Sequence, residues 1–159
     1  MLPLPLVAVR GGVPHPLRTV QAAVDAYSEP ALVQCDSAPC TECGCDTFWK
    51  AETVTVFPEV LILCLNRWAD PTAPLLHPVE VTDSITFRGV EYNLRSVLAH
   101  LGSSADGGHD ITVAKHTTAN GTWWLYDDEW RKEATPNQRT TLCKYGHREM
   151  KSYVVIYEK

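Results

Sequence analysis

The chain has 159 residues, of which 45% are hydrophobic and 21% charged, and 14 Lys plus Arg against 19 Asp plus Glu give a net charge of −5. This composition suits one globular domain rather than a disordered tail or a multidomain enzyme. The acidic balance argues against a nucleic-acid or polybasic membrane binder, and the longest aliphatic run, Val60 to Leu65 with Cys64 inside it, ends at Asn66 and Arg67, far too short to cross a bilayer.

In chain order, the apolar start Met1-Leu2-Pro3-Leu4-Pro5-Leu6 lacks a basic leader, and its prolines break the stretch a secretion signal needs, so an intracellular chain is expected. In that compartment the six cysteines are expected to be thiols or metal ligands rather than disulfides. Leu17, Val20, Val24 and Tyr27 recur at helical spacing, which predicts an amphipathic helix over about 16–28, stopped by Pro30. Four cysteines then crowd together: Cys35, Cys40, Cys43 and Cys45.

Beyond them the period shortens to two or to brief apolar runs, and strands are predicted at about 53–57, 60–66, 78–81, 85–87, 110–115, 122–127 and 153–157. Turn chemistry separates them at Ala69-Asp70-Pro71, Arg88-Gly89, Ser103 to Gly108 and Asn120-Gly121. Residues 131–151 are expected to be irregular. Uneven strands with one clear helix imply an α+β domain on a mainly antiparallel sheet, not a βαβ array.

Several patterns stand in a fixed order. They are Phe57-Pro58-Glu59-Val60-Leu61-Ile62-Leu63-Cys64-Leu65-Asn66-Arg67-Trp68, then Tyr92-Asn93-Leu94-Arg95-Ser96-Val97-Leu98-Ala99-His100-Leu101-Gly102, then Gly107-Gly108-His109, Trp123-Trp124-Leu125-Tyr126-Asp127-Asp128 and Ser152-Tyr153-Val154-Val155-Ile156-Tyr157. Together they resemble the ubiquitin-specific proteases: the buried strand after the zinc-ribbon region, the lead into the histidine box, the box itself, the Asp-Asp segment and the closing strand. The resemblance covers about residue 50 to the C-terminus, and more loosely the first third. It implies a papain-like cysteine-peptidase architecture, of which residues 1–159 would be the C-terminal portion, with a cysteine-cluster finger region at about 33–50 and the histidine-box sheet at about 51–159.

The resemblance implies hydrolysis of the isopeptide bond after the C-terminal glycine of ubiquitin. His109 would be the base, Asp127 the carboxylate that orients it, and Asp128 a second candidate carboxylate. A cysteine peptidase needs an imidazole beside its thiol and an acceptor that holds the other ring nitrogen. Gly107, Gly108 and Trp123 would line the groove for the diglycine tail. The family's nucleophile lies in an Asn-x-Gly-Asn-x-Cys box, and none of Cys35, Cys40, Cys43, Cys45, Cys64 or Cys143 has that context. The chain by itself is therefore expected to be inactive, with the box supplied upstream or by a partner. Ubiquitin or a ubiquitinated protein is the implied partner. Two alternatives stay open: a non-catalytic ubiquitin-binding module from the same fold, and a small zinc-binding interaction domain.

No cofactor is expected for catalysis. Family members often hold zinc between two cysteine pairs; Cys40-Thr41-Glu42-Cys43 matches the second pair, and Cys35 and Cys45 are further candidate ligands. The chain departs from the family after the histidine, where Asp110 replaces an aromatic.

The strand register can be reasoned without the family. Opposing His109 to Asp127 sets Ile111 against Leu125 and Val113 against Trp123, one apolar face ending in the His/Asp pair. A two-residue turn at Asn120-Gly121 instead sets Val113 against Asp128 and carries Asp127 roughly 17 Å from His109. The first register is preferred. His15, His77 and His116 are expected at the surface, His100 as a hydrogen-bonded structural residue, and Cys64 in the core.

Overall fold

Residues 1–34, 39–68, 70, 74–102, 107–116, 121–134, 144–145 and 148–159 are described by a computed structural model. The elements run β1 (Leu2–Leu4), β2 (Val7–Arg10), β3 (Val13–Pro16), α1 (Val20–Ser28), β4 (Ala31–Gln34), β5 (Thr47–Lys50), β6 (Val60–Leu65), β7 (Ser84–Phe87), β8 (Val90–Leu101), β9 (His109–Lys115), β10 (Trp123–Asp127), β11 (Trp130–Glu133), β12 (Lys144–Tyr145), β13 (Arg148–Glu149) and β14 (Lys151–Glu158). The main sheet is ordered β1-β6-β14-β8-β9-β10-β11, with β7 also paired to β8. Only β1 joins in parallel, to β6. The α+β reading with one helix and a mainly antiparallel sheet is what the chain forms.

The helix begins later than the spacing of apolar residues suggests. Pro16 ends β3 and the Leu17 amide donates to the Leu6 carbonyl, so helical geometry cannot start before Thr19, whose side chain caps the helix by accepting from the Ala22 amide at 3.0 Å. Val20, Ala23 and Val24 then lie buried in the core. Gln21 holds the helix to β7 through its side-chain amide, donating to the Thr86 carbonyl at 2.9 Å and accepting from the Thr86 amide at 2.8 Å.

Two predicted strands do not form. Residues 53–57 carry no strand, and 78–81 contribute only an isolated bridge from Glu80 to Thr19. Both stretches adjoin proline, which removes a ladder donor. They serve the core as packing: Phe57 meets the ring of Phe87 edge-on at 6.2 Å, and Val79 and Val81 are buried.

The reverse error concerns β8, which periodicity missed although it is the longest strand. One edge of β8 pairs with β14, and the other takes β7 at Val90 to Asn93 and then β9 at Ser96 to Leu101. Its first half, Val90 to Arg95, does alternate apolar and polar residues, with Tyr92 and Leu94 buried, whereas from Val97 to Leu101 burial is nearly continuous and the alternation is lost. The turn into it at Arg88-Gly89 is as expected, both residues having positive φ (49° and 85°). The segment expected to be irregular is partly ordered, since β11 runs to Glu133 and β12 pairs with β13.

A buried arginine joins the end of β6 to the start of β14. Arg67 is 0% exposed, and its guanidinium donates to the carbonyls of Ser152 (2.6 Å), Leu75 (2.8 Å) and His77 (3.0 Å). Burial lowers its pKa to about 10, which still leaves it charged at neutral pH. His77, expected at the surface, is half-buried in this junction, its Nε2 3.0 Å from the Leu17 carbonyl.

Candidate active site

His109 opens β9 and Asp127 closes β10, so both sit at the same end of the sheet. The ladder pairs Leu125 with Val113 and Trp123 with Lys115, two residues out of step with the preferred register and incompatible with the alternative. The cause is the connection. The His116 amide donates to the Thr122 carbonyl at 2.8 Å and closes the ladder there, while Gly121, at φ 56°, already belongs to the turn. A two-residue shift preserves which face each side chain occupies, so Asp127, level with Ile111, still points to the face of His109 and reaches it on the diagonal. The His109 Nε2–H donates to Asp127 Oδ1 at 2.5 Å.

The pair is partly open to solvent, with side chains 34% (His109) and 17% (Asp127) exposed. The hydrogen bond to Asp127 holds the His109 imidazolium above its ordinary pKa, outweighing desolvation, with smaller help from the charges of Asp127, Asp128 and Asp110. Nε2 is taken, and among the described residues Nδ1 has no hydrogen-bond partner. The arrangement is therefore an imidazole fixed in one tautomer with one nitrogen available to accept a proton. Asp128 stands in the turn after Asp127 at φ 48°, with an oxygen within 4.8 Å of ligand atoms of both His109 and Asp127.

The groove residues need correction. Trp123 is 9% exposed and belongs to the hydrophobic core, because odd-numbered residues of β10 face inward; it cannot line a substrate groove. Trp124, on the other face, is half-exposed beneath the guanidinium of Arg131, 5.8 Å from its ring centre. Gly107 is exposed, with open space where a side chain would stand. Gly108 has an internal reason to be glycine: at φ 152°, a Cβ there would sit 2.4 Å from the His100 ring.

That ring belongs to a second His/Asp pair. His100 and Asp110 are directly opposed on β8 and β9, with His100 Nδ1–H donating to Asp110 Oδ1 at 2.8 Å. The rings of Trp68 and His100 meet in a T-shaped contact with centres 5.5 Å apart, and Trp68 meets Tyr153 in the same way at 6.0 Å. Burial and then the Asp110 carboxylate push the Tyr153 hydroxyl above its ordinary pKa. Reading the sequence identified His100 as structural and Asp110 as a departure from the family, but pairing them requires β8, which periodicity did not reveal.

In the finger region β4 and β5 form a hairpin that exposes Leu32, Phe48 and Trp49. Cys40 and Cys43 lie beyond it in a tight turn: the Gly44 amide donates to the Cys40 carbonyl at 2.8 Å, with Gly44 at φ 70°. Backbone N–H groups of Cys43 and Glu42 aimed at the Cys40 sulfur hold its thiol below the ordinary pKa. Cys45 is exposed, with its sulfur 3.8 Å from the Cys43 carbonyl. Cys35 and Cys143 lie outside the described residues. Among the described residues no three potential ligands that include a cysteine come together, so the fit to a metal extends to two thiolates. Cys64 is half-buried, and burial raises its thiol pKa.

Comparison with known proteins gives the family to which this mainly antiparallel fold belongs. A family model described as ubiquitin carboxyl-terminal hydrolase matches residues 26–157, and the chain belongs to that family. It is similar to the mouse protein Ubl carboxyl-terminal hydrolase 18, with 25% identity over 168 residues, covering 91% of this chain and 45% of that protein. Its fold is that of the yeast SAGA DUB module with mutant Sgf73, at TM-score 0.68 and 15% identity, covering 99% of this chain and 34% of that one. The SAGA Ubp8/Sgf11/Sus1/Sgf73 module bound to ubiquitin aldehyde gives TM-score 0.69, again at 15% identity, covering 99% and 35%. The chain thus spans less than half the length of these relatives.

Proposed function

We propose that this chain carries the His/Asp half of a cysteine-type deubiquitinase site and works with a nucleophile from an Asn-x-Gly-Asn-x-Cys segment outside the 159 residues. The observation that supports it is the His109–Asp127 hydrogen bond through Nε2, which leaves Nδ1 to face a thiol. Asp127 keeps the proton on Nε2, so Nδ1 is the basic nitrogen. It takes the proton of the incoming thiol; the thiolate adds to the carbonyl carbon of ubiquitin's terminal glycine. As the tetrahedral intermediate collapses, the C–N bond breaks and the imidazolium protonates the departing lysine amine. Water, deprotonated by the same imidazole, then attacks the thioester, releases the carboxylate and restores the thiol.

The solved neighbours bound to monoubiquitin and ubiquitin aldehyde support ubiquitin as the partner. The test is turnover of a ubiquitin C-terminal fluorogenic substrate by this chain joined to a cysteine-box segment. Turnover is expected, with loss of about a thousandfold or more in His109→Ala. The chain alone is expected to show none. Undiminished turnover in His109→Ala overturns the reading, as does turnover by the chain alone that Cys143→Ala removes.

A second reading, a ubiquitin-binding module without catalysis, draws on Asp110 standing where the family has an aromatic residue. It requires binding of ubiquitin with no turnover even after the cysteine box is restored.

We also propose that Cys40 and Cys43 form half of a structural zinc site. The lowered Cys40 thiol supports it, since thiolate is the form that binds zinc. The remaining ligands would come from Cys35, Cys45 or a second pair outside this sequence. Elemental analysis of purified protein tests it; less than about a tenth of an equivalent of zinc ends the idea.

A further inference from the structure

His109 and Asp127 are not cross-strand partners. They meet on a diagonal, where Cα atoms are roughly 7–8 Å apart rather than the 4.5–5.5 Å of opposed residues. A contact at that reach depends on how the start of β9 is held. Asp127 is the last residue of β10, paired with Trp130 of β11, and the β9 ladder stops one residue short of it, at Tyr126. His109 is anchored on one side, by Leu101, and the residue before it is a glycine at φ 152°.

What holds that glycine is the His100 ring. A Cβ built at Gly108 falls 2.4 Å from both Cε1 and Nε2 of His100, and one at Gly102 falls 2.8 Å from Nε2 and 2.9 Å from the Gly107 carbonyl. The backbone on both sides of the β8–β9 connection therefore lies directly on one imidazole. That imidazole is itself fixed: Asp110 accepts a hydrogen bond from its Nδ1–H at 2.8 Å, and Trp68 packs against it in a T-shaped contact, ring centres 5.5 Å apart. Because side chains alternate along a strand, His109 and Asp110 act on opposite faces of the same two residues of β9.

We propose that His100 and Asp110 are positioning residues for His109: the His100 ring, clamped by Asp110 and Trp68, sets the backbone at Gly108 so that His109 reaches Asp127. The inference rests on His109 being the base proposed above, and it replaces a loss with a function. Asp110, which removes the family's aromatic residue after the histidine, supplies the acceptor that orients the clamp.

The test is an NMR titration of the His109 imidazole in the full 159-residue chain, which needs no catalytic cysteine. The charged groups that act on His109 are Asp127 and Asp128 beside it and, from the opposite face of β9, Asp110. Wild type is expected to titrate above the ordinary value of about 6.5. His100→Phe keeps a ring under Gly108 and leaves the Asp110 charge in place without its partner. If His100 merely fills space, His109 in this variant titrates at or above the wild-type value. If His100 positions, the diagonal contact fails and the value falls below that of wild type, toward the ordinary one. Asp110→Leu and Asp110→Asn lose the same charge, but only asparagine still accepts the Nδ1 proton, so Asp110→Asn is expected to stay above Asp110→Leu. That pair decides the matter should His100→Phe fail to fold. An unchanged value in His100→Phe, or equal values in the two Asp110 variants, overturns the positioning role and leaves the proposed function standing. An ordinary value in wild type shows that His109 does not hold Asp127 in solution and overturns both.

Discussion

Two histidine–aspartate pairs occupy the same end of one sheet, on opposite faces. His109 and Asp127 meet diagonally across β9 and β10, partly open to solvent, with one ring nitrogen unengaged. His100 and Asp110 are opposed directly across β8 and β9; the imidazole is buried and the carboxylate is 60% exposed. The residue types are identical, and what separates them is access. A ring packed under backbone and against an indole has no room for a reacting group, whereas a ring at the open end of a ladder does. Residue identity alone does not tell a base from a clamp; the solvent and the free nitrogen do.

The comparison separates furthest in turnover of the joined enzyme. His109→Ala, which removes the base, is expected to be at least about a hundredfold more damaging than His100→Phe, which misplaces it. Similar losses on the fluorogenic substrate would erase the distinction between base and clamp. Stability gives a smaller effect of opposite sense. Gly108→Ala drives a methyl into the clamped ring and adopts a φ that alanine disfavours, so it should cost about 1–3 kcal/mol in denaturant unfolding. Its neighbour Gly107→Ala, in open space, should stay within about 0.5 kcal/mol. Equal costs at the two glycines would mean that the ring does not bear on Gly108.

The smallest effect is in pH dependence. The folded pKa of His109 is raised, so its contribution to stability is fully present below the unfolded value of about 6.5 and is lost as pH rises through the folded value. Asp127→Asn should flatten that slope. His77, whose pKa burial lowers, contributes in the opposite sense: its stability is present above about 6.5 and is lost as pH falls through the folded value. Unfolding midpoints measured from pH 5 to 8 in His77→Gln and Asp127→Asn separate the two slopes. A slope above pH 6.5 that survives Asp127→Asn would place its origin elsewhere.

Ordered motifs were enough to read the family and its α+β class from the sequence, and alternation along β9 and β10 was enough to put His109 and Asp127 on a common face. These features are local or periodic, and a shift of two residues does not disturb them. The register itself was not legible, because it depends on where the connection between the strands closes, at His116 and Thr122. Nor was the burial of Arg67, whose carbonyl partners lie 8, 10 and 85 residues away. The resemblance puts Trp123 in the groove, and only packing decided that it goes to the core. The clamp on Gly108 was the least visible of all. It needs β8, β9, the end of β6 and the start of β14 to converge on one imidazole, and side chains brought together by strand pairing rather than by spacing leave no pattern in the chain that a periodicity can detect.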